Sequence, residues 1–326
     1  MHPVLVNVSG ANCSPFPALL HDGRVLALTY WNAHWNSLRN AISMAALLQD
    51  WEVHAAALTR LCSDSATFEV IATQGLPVDA LHLHAPVAPR QVYCTIGNYR
   101  AQLLEAALDA GDGPGGAEAP ARRAATLAAI AKRKREGTPY ICMKGCVCVA
   151  GPHDDLRIEE DLATLDWEVE IGVVIGRTAW RVDRASALEH VAGYCVVNDL
   201  TLRSKVFRSD PQILGTDWLQ SKARPGWLPT GPWLVPAWNV PDPAALGLQL
   251  RLNGEAMQSG AASDMVFDIA EQIAYLSHQT RLEPGDLLCT GSPAGFGSHY
   301  GRYLRPGDVV EASVEGLGTQ RVRCTA

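Results

Sequence analysis

The stretch DWEVEIGVVIG, residues 166–176, combines the pattern of a buried β-strand with two carboxylates. Residues 173–175 are good strand formers. Side chains alternate across a strand, so Glu168 and Glu170 face the same side. Two neighbouring carboxylates repel each other, and each is costly to remove from water. The pattern therefore predicts a strand whose acidic face is compensated by a metal ion, a proton or basic side chains.

A third carboxylate follows a second apolar strand in GYCVVNDLTLR, residues 193–203. Asp199 stands where this strand should emerge from the sheet. Three carboxylates at strand positions form a hard-oxygen site that suits Mg²⁺ best, with Mn²⁺ or Ca²⁺ as alternatives. A competing interpretation places both glutamates at an exposed sheet edge and Asp199 at the cap of a turn. The pattern alone does not separate the two.

Composition and charge exclude several classes of function. The chain has 326 residues and a formal net charge of -7, so no broad basic surface indicates nucleic acid binding. No apolar run is long enough to predict a membrane span. The N-terminus MHPVLVNVSG lacks the pattern of a secretory signal peptide, so reduced cysteines and a cytoplasmic location are expected.

A proline-containing segment between two regions of the chain predicts two domains. Residues 1–85 form a small N-terminal domain, in which 37–62 has helical periodicity, and APVAPRQ then reads as a linker. Residues 90–326 form the larger domain, where two helical segments within 100–136 resemble a mobile cover. After Tyr140 many short strands occur, with helices predicted only at 182–191 and 265–280. Without regular βαβ alternation, this pattern predicts an α+β, β-rich roll or barrel-like architecture.

The order of six segments resembles the fumarylacetoacetate hydrolase superfamily. They are TIGNYRAQLLE (95–105), PYICMK (139–144), DWEVEIGVVIGRT (166–178), HVAGYCVVNDLTLR (190–203), KARPGWLPTGPW (222–233) and LLCTGSPAGFG (287–297). The resemblance covers roughly residues 90–326. It implies a mixed β-sandwich roll of the family's C-terminal type, and a homodimer, since family members commonly pair through this domain.

The resemblance also assigns roles to individual residues. Glu168, Glu170 and Asp199 would hold the divalent metal, Mg²⁺ or Mn²⁺. Lys222 looks like the lysine beside metal and substrate, where its charge would bind a substrate carboxylate or enolate. Further residues are expected to bind the substrate: Tyr99, Arg203, Thr290, Gly291 and Ser292. For Arg203 a structural salt bridge, and for Ser292 a plain turn, are competing interpretations.

The chain departs from the family at the position of the general base. The family motif N-Y-x-x-H-x-x-E reads NYRAQLLE here, with Gln102 in place of His and Glu105 retained. Gln orients a water molecule but does not accept its proton at neutral pH. Three outcomes stay open: Glu105 acts as the base, a His from elsewhere replaces the missing one, or the reaction needs no activated water. The candidate histidines are His153, His278 and His299.

A second departure follows Lys222, where Gly226 and Trp227 replace a position that is commonly a polar Thr. A Trp there would narrow the pocket or stack on a substrate, which indicates a bulky or aromatic compound.

These features predict a metal-dependent enzyme acting on a small oxo acid, without a nucleic acid or membrane partner. The leading expectation is hydrolytic C–C cleavage of a 1,3-diketo acid, of the acylpyruvate or fumarylpyruvate type, in aromatic-compound catabolism. Because Gln102 replaces the base, an oxo-acid decarboxylase, isomerase or hydratase is the alternative. A metal-binding relative without turnover is the second alternative.

Overall fold

The computed structural model describes residues 2–33, 38–111, 113–210 and 212–326. The remaining residues, 1, 34–37, 112 and 211, belong to predicted spans but lie outside the described residues. The fold is α+β and rich in sheet, as predicted. Within the described parts of the chain, no helix has the length and apolar character that crossing a membrane requires.

The N-terminal region builds a five-stranded sheet in the order β4-β3-β2-β1-β5. Its strands are β1 (Val4–Ser9), β2 (Phe16–His21), β3 (Arg24–Ala27), β4 (Leu76–Pro77) and β5 (His82–His84). In the described part of the connection between the third and fourth strands lie the α-helices α1 (Met44–Gln49), α2 (Trp51–Leu61) and α3 (Ser65–Gln74). The single helical segment predicted for residues 37–62 is thus broken after Gln49, and its first residue lies outside the described range.

The larger region opens with the predicted cover, α4 (Arg100–Asp109) and α5 (Ala119–Glu136), between β6 (Val92–Ile96) and β7 (Tyr140–Lys144). The short strands that follow are β8 (Val149–Ala150), β9 (Leu156–Arg157), β10 (Leu165–Asp166), β11 (Val169–Ile175), β12 (Val191–Asn198) and β13 (Thr201–Leu202). After α6 (Trp218–Lys222) come β14 (Leu228–Pro229), β15 (Val235–Pro236), β16 (Gly247–Leu252) and β17 (Glu255–Ala261). The chain ends with α7 (Ile269–Gln279), β18 (Leu287–Cys289), α8 (Gly297–Tyr300), β19 (Val309–Val314) and β20 (Gly318–Thr325).

Two sheets of this region face each other. A six-stranded sheet, in the order β15-β12-β11-β18-β6-β7, packs against a five-stranded sheet, β17-β16-β19-β20-β9. Val169 and Ile171 of β11 share one core with Leu250 of β16 and Val310 of β19. The helix predicted for residues 182–191 is only a 3₁₀ turn at Ala187–His190, because residues 182–186 form a loop and Val191 already belongs to strand β12.

The opposite face of the six-stranded sheet is covered by the N-terminal region. Val174 and Leu287 pack in one apolar cluster with Leu47 and Trp51 of the N-terminal helices. This explains why every residue of β11 is buried, since a strand covered on both faces has no solvated side. The division between residues 1–85 and 90–326 remains a proposal, because one hydrophobic core runs across it.

Candidate active site

The three carboxylates converge where β11 and β12 lie side by side. The antiparallel register places Val169 opposite Asn198 and Glu170 opposite Val197, so Asp199 emerges beside Glu168, whose carbonyl accepts its N–H at 2.9 Å. One carboxylate oxygen from each of Glu168, Glu170 and Asp199 lies within 4.8 Å of the others. All three residues are buried, which rules out the exposed-edge interpretation.

Two buried lysines lie among these carboxylates. Lys222 Nζ donates to Asp199 at 2.6 Å, to Glu168 at 3.1 Å and to the Thr201 hydroxyl at 2.6 Å. Lys144 Nζ donates to the other Asp199 oxygen at 2.7 Å and to the backbone carbonyls of Leu200 and Trp227. Burial alone would raise the pKa of Asp199, but the two lysines outweigh it and hold that pKa well below its ordinary value.

Arg203 joins the carboxylates to the loop after β18. Its Nε donates to Asp166 and its Nη1 to Glu168, both at 2.7 Å. Its Nη2 is buried without a partner, and the guanidinium lies 4.2 Å from the centre of the Phe296 ring. Asp166 also accepts the N–H of Gly297 at 2.7 Å. The predicted salt bridge and the predicted place in the pocket are therefore both observed for Arg203.

The loop TGSPAGFG brings a backbone donor to the triad. Gly291 N–H donates to Glu170 at 2.8 Å. Gly291 has φ +94°, and a Cβ there would come within 2.8 Å of the Asn98 side chain, so glycine is required. Asn98 donates to the carbonyls of Thr290 and Phe267 and accepts the Phe267 N–H. Asn98 thereby fastens this loop to the beginning of the cover.

The ionised carboxylates of the cluster outnumber its cationic side chains, so the difference is made up by a proton on a carboxylate or by a further cation. Within the described part of the chain, four buried carboxylates face three cationic side chains, so one negative charge is left uncompensated. The carboxylates belong to Asp166, Glu168, Glu170 and Asp199, and the cations to Lys144, Lys222 and Arg203. Burial, followed by Asp199 and Glu168, raises the pKa of Glu170 well above its ordinary value. The all-oxygen donor set and its surplus charge fit a hard divalent cation.

A cavity of about 370 Å³ opens above this cluster. Small-molecule sites span roughly 300 to 1,000 Å³, so the cavity suits a compact ligand. Its polar wall includes Gln102, Glu168, Arg203, Lys222 and Ser292. Its apolar wall is formed by Ile96, Leu103, Ala106, Val206, Phe207, Trp218 and Phe296.

The predicted site residues divide between the cavity wall and its support. Tyr99 and Thr290 are fully buried beneath the cavity and do not line it, and Gly291 uses its N–H to bind Glu170. Their direct contact with substrate stays a prediction. Trp227 does not line the cavity either, because its side chain is buried beside Arg224. The tryptophan in the cavity wall is instead Trp218, one helical turn before Lys222.

Sequence reasoning missed three supporting residues. Asp166 is the first residue of the opening stretch, but nothing in a linear pattern pairs it with Arg203. Lys144 alternates with Cys142 on a predicted strand, which puts it on a known face but not beside Asp199. Asn98 lies inside a quoted motif and has no periodic signal at all.

One of the three candidate histidines lies at the cover. His299 Nδ1 is 2.8 Å from the Asp109 carboxylate and its Nε2 is 3.8 Å from Glu105. Glu105 also accepts the N–H of Gly295 at 2.8 Å. His153 and His278 are exposed, and His278 belongs to the last turn of α7. Of the three, His299 is thus the one that meets the retained glutamate.

The cover helix is expected to loosen as the pH rises. The hydrogen bond that His299 donates to the Asp109 carboxylate raises the pKa of His299 above its ordinary value of 6.5, burial opposes this, and Glu105 adds to it. A raised histidine pKa means that the contact is complete at low pH and is lost as the pH rises through that pKa. We expect His299→Gln to increase hydrogen exchange in α4 about two- to five-fold at low pH, since partly exposed pairs are weak.

Exchange of α4 in the two proteins, compared at one pH below and one above the His299 pKa, checks this. The two proteins should differ only at the lower pH. An equal difference at both values would mean that His299 acts through packing rather than charge.

Comparisons with known proteins show which family the chain belongs to. A family model described as fumarylacetoacetate (FAA) hydrolase C-terminal matches residues 91–325. A 2,4-didehydro-3-deoxy-L-rhamnonate hydrolase from Sphingomonas sp. (strain SKA58) is 41% identical over 186 residues, 56% of this chain and 64% of that protein. The match therefore spans less than two thirds of that relative's length.

Solved structures extend the likeness to the whole chain. A protein described as a probable 2-hydroxyhepta-2,4-diene-1,7-dioate isomerase from Mycobacterium abscessus is 29% identical with a TM-score of 0.70, covering 100% of this chain and 98% of that one. A fumarylacetoacetate hydrolase from Exiguobacterium antarcticum is 25% identical with a TM-score of 0.70, covering 99% of both chains. The relatives are thus hydrolases and isomerases of one enzyme family. Because the family model matches residues 91–325, from the start of β6 to the last strand, the chain belongs to the fumarylacetoacetate hydrolase family.

Proposed function

We propose that the protein is a divalent-metal-dependent hydrolase that cleaves a C–C bond of a 1,3-diketo acid of the acylpyruvate type. The observation that carries this proposal is the buried carboxylate triad with Lys222, opening onto a cavity of about 370 Å³. Glu168, Glu170 and Asp199 would hold the cation. Mg²⁺ is the first choice and Mn²⁺ the second, because both take carboxylate and substrate oxygens.

A bound cation would supply Lewis acidity toward the oxo-acid oxygens. Arg203 lines the cavity and its buried Nη2 has no partner in the protein, so this guanidinium is the candidate donor to the substrate carboxylate. Lys222 holds Glu168 and Asp199 in place and adds positive charge where the enolate develops. Water adds across the bond between the acyl carbon and the methylene: hydroxide ends on the acyl carbon and the proton on the leaving pyruvate.

Gln102 stands on the cavity wall, where it would orient the attacking water. Glu105, one turn further along the same helix, points to Gly295 and His299. In this proposal Glu105 accepts the proton from the water, and His299 and Asp109 position it.

Restoring the family's histidine should accelerate the reaction. On a helix, positions 102 and 105 are neighbours, so Gln102→His would place an imidazole on the cavity wall beside Glu105. General base catalysis contributes about 10²- to 10⁴-fold, and we expect a rise in kcat of at least about 10-fold. Acylpyruvate consumption, followed by ultraviolet absorbance with excess Mg²⁺, measures it.

Gln102→Asn is the matched control and should show no gain. Adding Glu105→Gln to the Gln102→His variant should remove the gain. If kcat does not rise in Gln102→His, water activation does not limit the reaction, and the proposed role of position 102 is wrong.

Gln102 also favours a second candidate function. Since the amide of Gln102 cannot accept a proton, an isomerase, hydratase or decarboxylase that needs no activated water fits the cavity as well, and one structural relative is described as an isomerase. Product analysis separates the classes: two acids mean hydrolysis, carbon dioxide means decarboxylation, and unchanged mass means isomerisation. Metal binding without turnover across a diketo-acid panel would favour a relative that has lost catalysis.

A homodimer, a cytoplasmic location and a role in aromatic-compound catabolism stay predictions. The homodimer has physical support in the segment that leads into α6 and in that helix, where Ile213, Leu214 and Leu219 expose most of their apolar surface. Exposed apolar clusters of this kind are characteristic of interfaces.

A further inference from the structure

Polar residues lie at the floor of the cavity, and apolar residues lie towards its mouth. Lys222, Glu168 and Ser292 at its floor are almost fully buried, whereas Phe207 is 76% exposed and stands at its mouth. Between floor and mouth the wall carries Leu103, Val206, Trp218 and Phe296. A ligand whose oxo-acid end reaches the floor would therefore place its other end against apolar and aromatic side chains.

Among the described residues, the floor offers one cationic donor that is still unpaired. All three protons of Lys222 Nζ have acceptors in the protein, namely Glu168, Asp199 and Thr201. Two of the three guanidinium nitrogens of Arg203 are engaged by carboxylates, and Nη2 is not. Arg208, next to Phe207 in the chain, does not line the cavity and is paired with Asp210 and Asp217. The cavity is therefore equipped to bind one carboxylate through Arg203.

The net charge of the cluster also indicates that the cavity binds one substrate carboxylate. The surplus negative charge of the floor becomes a surplus positive charge once a divalent cation is bound. One substrate carboxylate neutralises it. A second carboxylate on the substrate would enter the apolar part of the cavity without a partner, where an unpaired charge is expensive.

We propose that the acyl group of the substrate is apolar and uncharged, an aromatic ring or alkyl chain that packs against Phe207, Trp218 and Phe296; this inference rests on the proposed function. The substrate is then a monocarboxylic acylpyruvate. Fumarylpyruvate-type substrates, which carry a second carboxylate, are selected against. Trp218 and Phe207 determine this specificity, while the metal-binding residues do not.

Two 2-oxo acids that lack the second keto group, and hence cannot be cleaved, test the preference by binding alone. The phenyl-ended probe is 2-oxo-4-phenylbutanoate, and the carboxylate-ended probe is 2-oxoglutarate. Calorimetric titration of the Mg²⁺-loaded protein should show the phenyl-ended probe binding at least about 10-fold more tightly, the scale of discrimination that apolar pockets reach. Equal or tighter binding of 2-oxoglutarate would overturn the proposal.

Variants at the mouth locate the preference. Phe207→Ala and Trp218→Ala should each weaken the phenyl-ended probe several-fold more than pyruvate, and Phe207→Arg should raise the affinity for 2-oxoglutarate. Trp180→Ala is the matched control, since this half-exposed Trp lies outside the cavity wall. Unchanged selectivity in both alanine variants would overturn the assignment, and Phe207 is exposed enough that its replacement leaves the core intact.

Turnover distinguishes this proposal from the function on which it rests. If acetylpyruvate and benzoylpyruvate are hydrolysed but fumarylpyruvate is preferred, the specificity proposal fails and the hydrolase stands. If no acylpyruvate is hydrolysed while the phenyl-ended probe still binds preferentially, the proposed reaction fails and the apolar subsite stands.

Discussion

Replacing Glu170 with Gln is expected to lower kcat/KM for acylpyruvates by at least about 100-fold, since even residues behind the metal ligands cost about 10- to 100-fold. The same change is expected to raise the melting temperature of the metal-free protein. The two effects have opposite signs because they arise from different states. Metal binding requires the carboxylate, whereas the metal-free fold must bury that carboxylate beside two others.

The structure supports this separation. Glu170 is 1% exposed, and its pKa is raised by burial and by the neighbouring Asp199 and Glu168. The amide introduced by Glu170→Gln has nearly the same shape as the carboxylate and no charge. It keeps an oxygen that accepts the Gly291 N–H, and it removes the repulsion. Neither lysine nor Arg203 donates to Glu170, so none of these three cations loses a partner.

Calorimetric titration with Mn²⁺ measures the metal affinity, thermal unfolding in chelator measures the melting temperature of the metal-free protein, and ultraviolet assays measure kcat/KM. Glu159→Gln is the matched control, because this carboxylate is exposed and paired with Arg224, away from the triad. If Glu170→Gln bound metal as tightly as the unaltered protein, the carboxylates at positions 168, 170 and 199 would not be the metal site, and the proposed function would lose its basis.

The second large effect is expected from Lys144→Met, which should lower the free energy of unfolding by about 3–5 kcal/mol, the cost of breaking a buried ion pair. Lys144 Nζ donates to Asp199 and to two backbone carbonyls, and its side chain is fully buried. Met fills a similar volume, so the loss comes from one Asp199 oxygen and two carbonyls left without their donor, and from the greater excess of negative charge, rather than from a cavity.

Urea denaturation of the metal-free protein measures this difference. Lys132→Met is the control, since Lys132 is 71% exposed at the side chain and should change stability by under about 1 kcal/mol. A loss of similar size in both variants would mean that Asp199 does not depend on Lys144. Lys222→Met should differ by reducing turnover as well, because Lys222 lines the cavity and Lys144 does not.

The strands of the larger region were predictable because their cues are local. Alternation placed Glu168 and Glu170 on one face, and the apolar run before Asp199 marked where its strand ends. Of the N-terminal sheet, the sequence pattern predicted only the strand in GRVLALTY, residues 23–30. Its strands β4 and β5 have two and three residues, and such short segments owe their conformation to the neighbours they pair with rather than to their own residues.

The aromatic wall shows the same limit within the site. The sequence pointed to Trp227, which follows Lys222 closely in the chain, but the loop after α6 turns this side chain into the core. Trp218 lines the cavity because it lies one helical turn before Lys222, on the same face of α6. Proximity along the chain did not decide which aromatic residue faces the ligand.

By itself, the sequence determined the sheet-rich fold, the family and the three carboxylates, because strand alternation and motif order are properties of a one-dimensional pattern. Only the tertiary structure decided what compensates those carboxylates. Lys144, Arg203 and Asp166 reach the cluster from separate strands and turns. His299, far along the chain from Glu105, meets it only because α8 packs on α4. Electrostatic energy depends on distance in space, and that distance is set by packing.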